Sequence, residues 1–557
     1  MKYYNLTTPQ KNIWNLQKYY GDTAIGNQCG AIFYKEERDN DLLKRAIYQV
    51  IENQSGIRLH FMEKEEPIQY ISKELEDIPV MTFGTMDDFD KYAESFAKDP
   101  IALNDSAMYR FVVFEAGNRC GVLVVLSHLI SDAWTFGIIA NQVDEAYRNL
   151  AYGTAYDIWK ADYTEYVRIE KDYFASERYK KDKTYWENKY SAQPEKSIIK
   201  MLPAKSDNIE AKRYTKCLSA ELEKKIDEYC NTHSVTPAVL FETVLITYLA
   251  RINTENRTIT IGIPVLNRSN AKEKKIAGMF VSTIPLTVDV KEEMEITELA
   301  QQISKGHMEI FRHQKYPYSD ILKYLREKQN FSGNLYDVMI SYQNAKTDTG
   351  ASTKWYFNGY SEIPFAIHID NRDSKSIHTI NADYQIAVFK DEREVEYVVN
   401  RLEYILEQIV DETAYSIKEV NIVPQTEMKR IIEEFNDTYV EYPREKCIHE
   451  LFTEQAKKTP DKIALVFEDE KFTYKQLDEM SNSLAHYLRE KGVKRNDIVP
   501  IVARRSWIYI VACIAVIKAG GAFLPIDLNF PIERIQFILR EVNAKCILAF
   551  DNEISIK

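Results

Sequence analysis

The sequence predicts a mixed α/β protein built from several compact units, and three observations carry that prediction. Short β-rich runs bounded by turn residues alternate with segments whose apolar residues recur at helical spacing. The chain has 557 residues, enough for roughly three or four units that each bury a core. Its 45% hydrophobic content is that of an ordinary globular chain.

The elements follow in order. An apolar helix is expected over Leu42 to Ile51. Met108 to Phe114 and Gly121 to Leu126 are β-rich and separated by the turn signal Gly117-Asn118, which predicts a hairpin. Phe136, Ile139, Ala140, Val143 and Tyr147 then recur at helical spacing, so strand, loop and helix succeed one another. The same mixture returns further on, with a helix from Pro237 to Ile252, a strand from Thr258 to Val265, a strand segment Asp337 to Tyr342 and a final helix through Val398 to Ile409. Beyond Pro424, Gln425 to Arg444 has few strong apolar positions and a Pro443 stop, the pattern of a linker with a short helix. The expected organisation is one α/β lobe over residues 1–175, a second over 176–430, a linker over 431–447 and the start of a further domain over 448–557.

Composition excludes several classes. A net charge of −12 argues against a nucleic-acid partner, which needs a concentrated basic face. No apolar run approaches the roughly 18 to 20 residues of a membrane helix; the longest, Trp507 to Ile517, is expected to be a buried core helix. The N-terminus Met1-Lys2-Tyr3-Tyr4-Asn5 lacks a signal pattern, so a cytoplasmic location is expected. Cys29, Cys120, Cys217, Cys230, Cys447, Cys513 and Cys546 are dispersed without a Cys-x-x-Cys pair, which predicts reduced core thiols and no metal site. Two basic clusters, Arg178 to Lys181 and Lys272 to Lys275, are either solvated faces or docking points for an acidic partner.

The candidate active-site loop is Leu126-Ser127-His128-Leu129-Ile130-Ser131-Asp132-Ala133-Trp134-Thr135, which places a histidine at the end of an apolar strand. Ser127 and His128 alternate across the strand end, so a nucleophilic dyad between these neighbours is not expected. Asp132 is suited to cap the helix that begins near Thr135. Trp134 reads equally as core packing.

This loop resembles the His-His-x-x-x-Asp-Gly motif of the condensation domains of nonribosomal peptide synthetases, with Ser127 and Ala133 in place of the first His and the Gly. Further segments match that family in order. Thr7, Gln10 and Trp14 resemble its opening helix, and Ile57-Arg58-Leu59-His60-Phe61 its second block. Gly262 to Arg268, Gly278 to Thr283, His313 to Tyr318, Tyr336 to Met339 and Ser341-Tyr342-Gln343-Asn344 are similar to the later ones. The resemblance implies two chloramphenicol-acetyltransferase-like lobes in a V arrangement, with substrates meeting at their junction. It implies attack of an acceptor α-amine on a donor thioester beside His128, which would serve as base, positioner or oxyanion donor. It also implies that Asp132 pairs with Arg268, that Trp134 supports the site, and that Ser282, Tyr342, Gln343 and Asn344 line the substrate channel. Ser282 stands where the family carries Asn. Ala133 adds a methyl group and loses the freedom of glycine, and Ser127 reduces volume in a packed shell.

His449 to Phe452, Phe472 to Leu477 and Lys518 to Asp527 resemble the first blocks of an adenylation domain. The chain reaches Lys557 without a Gly-rich Thr-Ser-Gly phosphate loop, so no amino-acid activation is expected of it alone. No serine sits in a Gly-Gly-x-Ser carrier context, so no cofactor is expected on this chain. The expected partners are donor and acceptor peptidyl carrier proteins presenting 4′-phosphopantetheine thioesters, and neighbouring synthetase modules. Met1 lies just before the first block, so no fused upstream carrier is expected; the donor is then a peptide from a preceding synthetase or a chain-starting acyl group. A catalytically lapsed docking platform is the alternative that the two substitutions raise. A cyclization domain would carry Asp-x-x-x-x-Asp-x-x-Ser; here only Asp132 matches, Ser127 and Thr135 stand at the outer positions, and His128 remains.

Overall fold

The computed structural model describes residues 2–156, 159–201, 208–344, 351–372 and 377–550. The chain divides into two units, 1–432 and 433–557.

Two large sheets organise the first unit. The five-stranded sheet has the order Ser352–Tyr356, Asn27–Tyr34, Arg119–Ser127, Tyr109–Ala116, Val80–Phe83. The hairpin forms as its turn signal predicts: Ala116 pairs with Arg119, and Gly117 takes a φ of +59°, which a residue without Cβ adopts at little cost. Successive side chains of a strand point to opposite faces, and Arg119–Ser127 uses both. Val122, Val124 and Leu126 join one apolar core with Leu43, Ile47 and Ile139, whereas Leu123 and Val125 join another with Phe89 and Ala93. Burial on both faces is why this strand reads as one continuous apolar run.

The edge strand Ser352–Tyr356 departs from a sequential split of the chain into two lobes. It lies late in the sequence but pairs antiparallel with Asn27–Tyr34, Trp355 opposite Gly30. Pairing there closes an edge that would otherwise leave a row of unpaired backbone groups. A short polar strand carries no sequence signal for so distant a partner.

The six-stranded sheet runs Ser282–Asp289, Thr258–Val265, Val338–Gln343, Phe365–Asp370, Thr379–Gln385, Ala211–Cys217. Helix Pro237–Ile252 packs on it and is buried at every residue from Val239 to Leu249, as an apolar-all-round helix must be. Thr236 caps its start by accepting from the Val239 N–H, with Pro237 in the first turn. The segment after Thr258–Val265 crosses back to the first sheet, so Ile276, Ala277 and Phe280 belong to that sheet's core. The approach is close: a Cβ on Gly56 would stand 2.0 Å from the Ala277 carbonyl oxygen. This crossing carries Arg268 to the histidine loop.

In the second unit, strands Ile498–Val502 and Ala522–Ile526 pair in parallel around helix Trp507–Ala519. That helix buries Val511, Ala512, Ala515 and Val516 but leaves Ile510 exposed, so only part of the apolar run is core. The buried Lys518 ammonium donates to Asp478 Oδ1 (2.6 Å), Ser481 Oγ (2.8 Å) and Asn482 Oδ1 (2.8 Å). Among the described residues no single helix is long and apolar enough to cross a membrane. The expectation of core thiols holds for Cys29, Cys120 and Cys230, whereas Cys217 and Cys447 are exposed. Cys217 lies on an edge strand and Cys447 precedes a surface helix.

Candidate functional site

The loop after Arg119–Ser127 is built by its own backbone. The His128 N–H donates to Gly26 O (2.6 Å) and the Ile130 N–H to Ser127 O (3.0 Å). His128 Nδ1 lies 2.8 Å from Ser131 O. A carbonyl only accepts, so Nδ1 carries the proton, and in the neutral ring Nε2 is the lone-pair nitrogen. The Gln28 amide N–H donates to that lone pair across 3.2 Å, while Gln28 Oε1 accepts from Ser131 Oγ (2.8 Å). Burial pushes the His128 pKa down, opposed by the Asp132 carboxylate and by the bond to Ser131, so the ring is neutral at neutral pH.

His128 faces a cavity of about 670 Å³ whose walls come from both large sheets, with Gln28 and Trp355 on one side and Pro264, Met339 and Tyr342 on the other. That volume suits an organic ligand of moderate size. Buried Glu242, its carboxyl pushed up by burial, meets His307 Nε2 at 2.7 Å in the cavity wall.

Asp132 and Arg268 lock the loop to the second sheet. Arg268 Nη1 donates to Asp132 Oδ2 (2.6 Å) and Nη2 to Oδ1 (3.1 Å), with both side chains 1% exposed. Arg268 Nη2 also donates to Gly278 O (3.1 Å), and the guanidinium stacks over the Phe280 ring at 4.1 Å. Asp132 is at the same time the N-cap of helix Ala133–Tyr152, accepting from the Thr135 N–H (2.9 Å) and hydroxyl (3.0 Å). The helix begins at Ala133 instead of near Thr135, one residue after its cap.

The substituted motif positions sit without strain. Ser127 is fully buried, and its hydroxyl accepts from the Leu129 N–H (3.2 Å). Ala133 is absent from the positive-φ residues and is exposed at the cavity, so neither glycine's freedom nor a missing Cβ is needed. Trp134 Nε1 donates to Lys274 O (2.9 Å), which ties the helix start to the crossing segment. Tyr342, Gln343 and Asn344 line the cavity. Ser282 does not: Val281 and Thr283 reach the cavity, whereas Ser282 Oγ accepts from Asn267 Nδ2 (3.1 Å) beside a small crevice with Thr8 and Lys315. The basic clusters are partly neutralised, with Lys180 paired to Glu177 and Lys272 to Glu165.

Gln28 is the site residue that the sequence reading missed. Its signal was a long polar side chain among the small and apolar residues of Asn27–Tyr34, but nothing local named its partner across the sheet. The Gln28 N–H can bond Nε2 only while that nitrogen keeps its lone pair, so the contact favours the neutral ring. Replacing it with alanine is therefore expected to move the His128 titration upward, read by NMR of the labelled imidazole; an unchanged or lower midpoint would contradict this.

Comparison with known proteins decides the family. The family described as "Condensation domain" matches residues 1–432. The chain belongs to the condensation-domain family. Downstream of this condensation domain, the family described as "AMP-binding enzyme" matches residues 452–557. Surfactin synthase subunit 1 of Bacillus subtilis (strain 168) is 31% identical over 98% of this chain and 16% of that protein. Gramicidin S synthase 2 of Aneurinibacillus migulanus is 28% identical over 98% of the chain and 12% of that protein. The chain thus spans less than a fifth of either relative. Among solved structures, a four-domain nonribosomal peptide synthetase bound to AMP and glycine aligns with a TM-score of 0.78 and 17% identity, covering 100% of this chain and 44% of its own. The first condensation domain of the calcium-dependent antibiotic synthetase aligns with a TM-score of 0.67 and 16% identity, over 76% of this chain and 100% of its own. At these identities the structures establish the shared fold alone, a mixed α/β condensation-domain fold followed by the start of an adenylation domain over residues 452–557.

Proposed function

We propose that this chain forms an amide bond between a donor acyl or peptidyl thioester and the α-amine of an aminoacyl acceptor. Both would be held on the 4′-phosphopantetheine arms of separate carrier proteins belonging to neighbouring synthetase modules. The observation that carries this reading is the neutral imidazole of His128, which lines the cavity with its accepting Nε2 met by the Gln28 amide, on a loop that Arg268 and Asp132 pin in place.

The tautomer favours two of the three roles open to His128. Nε2 accepts, so it suits orienting the amine or taking its proton, and a neutral ring has no second N–H for an oxyanion. The amine displaces the Gln28 N–H from Nε2 as it enters. An α-amine with an ordinary pKa of about 7.7 to 8.0 is partly neutral already, so holding two thioesters within reach supplies a large share of the barrier reduction. The amine nitrogen attacks the thioester carbonyl, its proton passes to Nε2 as the C–N bond forms, and the thiolate leaves.

The test mixes the chain with an aminoacyl carrier and a panel of acyl and peptidyl carriers, and follows carrier-bound products by mass spectrometry. Short acyl donors alone giving product would assign a chain-starting role, and peptidyl donors an elongating one.

A further inference from the structure

A second set of reactive groups lies on the same cavity, on the face of the six-stranded sheet. Ser341 and His368 stand in register on the parallel strands Val338–Gln343 and Phe365–Asp370, so their side chains share one face. Ser341 Oγ lies 2.7 Å from His368 Nδ1, and both residues line the cavity. On the other side of the ring, His368 Nε2 lies 3.3 Å from Asp383 Oδ2. Asp383 is two residues from Asn381, the register partner of His368, and so falls on the same face. One strand further, Arg213 grips Asp383 through Nε to Oδ1 (2.6 Å) and Nη2 to Oδ2 (2.8 Å).

The directions of these bonds are those of an activated hydroxyl. Burial alone would raise the Asp383 pKa, but Arg213 and His368 hold it at about 2, so the carboxylate is charged and accepts from Nε2–H. The imidazole then offers Nδ1 as acceptor to the hydroxyl of Ser341, a residue of the cavity wall. The Gln343 amide N–H, one pleat along, donates to Ser341 Oγ across 3.4 Å. The relative use of Nδ1 and Nε2 is interchanged from the familiar Ser-His-Asp arrangement, which is recognised by its geometry and roles.

We propose that Ser341 is a nucleophile that hydrolyses acyl thioesters held in this cavity, with His368 as its base and Asp383 as the positioning residue. The thioester class of substrate rests on the function proposed above; the reactivity of the serine does not. Ser341 Oγ attacks the thioester carbonyl and its proton passes to His368. The C–S bond breaks, and the thiolate departs with that proton, leaving an ester on Ser341. Water then attacks the ester carbonyl, giving its proton to His368, and the carboxylic acid leaves as the serine is regenerated. Water is the only co-reactant. Such a step would clear a donor that finds no amine.

The full chain is treated with diisopropyl fluorophosphate, and the modified peptide is located by mass spectrometry beside a serine hydrolase control. In parallel, thiol release from octanoyl-pantetheine is followed for the wild type, Ser341→Ala and His368→Asn. The expected result is a single adduct on Ser341 and a fall in thiol release of at least about tenfold in both variants, the scale of a positioned base. Retention of folding is checked by circular dichroism, and Ser341→Thr provides a second, more conservative variant expected to lose the adduct. No adduct on Ser341 while the control reacts, or thiol release unchanged in Ser341→Ala, would overturn the proposal. The adduct reads the serine itself, so its absence does not bear on amide formation, nor does absence of amide products bear on the adduct.

Discussion

Arg268→Ala is expected to destabilise the first unit by about 3–5 kcal/mol, because it leaves the Asp132 carboxylate buried without its cation. The ion pair is bidentate and both partners are 1% exposed, so solvent cannot replace the lost charge. The Thr135 N–H and hydroxyl would still bond Asp132, which places the loss below complete unfolding of the loop. Chemical denaturation followed by circular dichroism measures it. The double variant Asp132→Leu with Arg268→Met should recover part of the loss, since removing both charges removes the unpaired one. A single-variant cost below about 1 kcal/mol, the level of an exposed pair, would contradict the structural role assigned here.

The second large effect concerns His128. His128→Ala is expected to lower the rate of amide formation by about 10²- to 10⁴-fold, the range of a positioned acid or base, while leaving carrier binding intact. The residual rate reports what proximity alone contributes. Single-turnover kinetics with both thioesters preloaded isolates this step from loading. A loss smaller than about tenfold would assign the acceleration to positioning, with the α-amine already neutral enough to attack.

Much of the architecture was legible in the sequence where one residue's environment is set by its near neighbours. Helix Pro237–Ile252 announces itself by its Thr236 cap, its Pro237 start and an unbroken apolar body, and the Gly117-Asn118 hairpin by its turn. The histidine loop was legible for the same reason, since strand, loop and capped helix are contiguous. The lost parts are those that chain topology brings together. Ser352–Tyr356 joins the first sheet from far along the chain. Gln28 reaches His128 across strands, and Ser341, His368 and Asp383 come from three strands whose order no local pattern reveals. Ser282 was placed by likeness in the channel, and strand alternation turned it toward Asn267 instead. Ala133 stands at an exposed helix start without a positive φ, an environment that its motif position alone does not reveal.

Amide formation at His128 is decided by mass spectrometry of acceptor-carrier products after the chain meets an aminoacyl acceptor and a panel of donor carriers, run beside His128→Ala. A new amide on the acceptor arm with at least one donor is expected, and its near disappearance in the variant. No amide from any donor, with both carriers still binding, would contradict it.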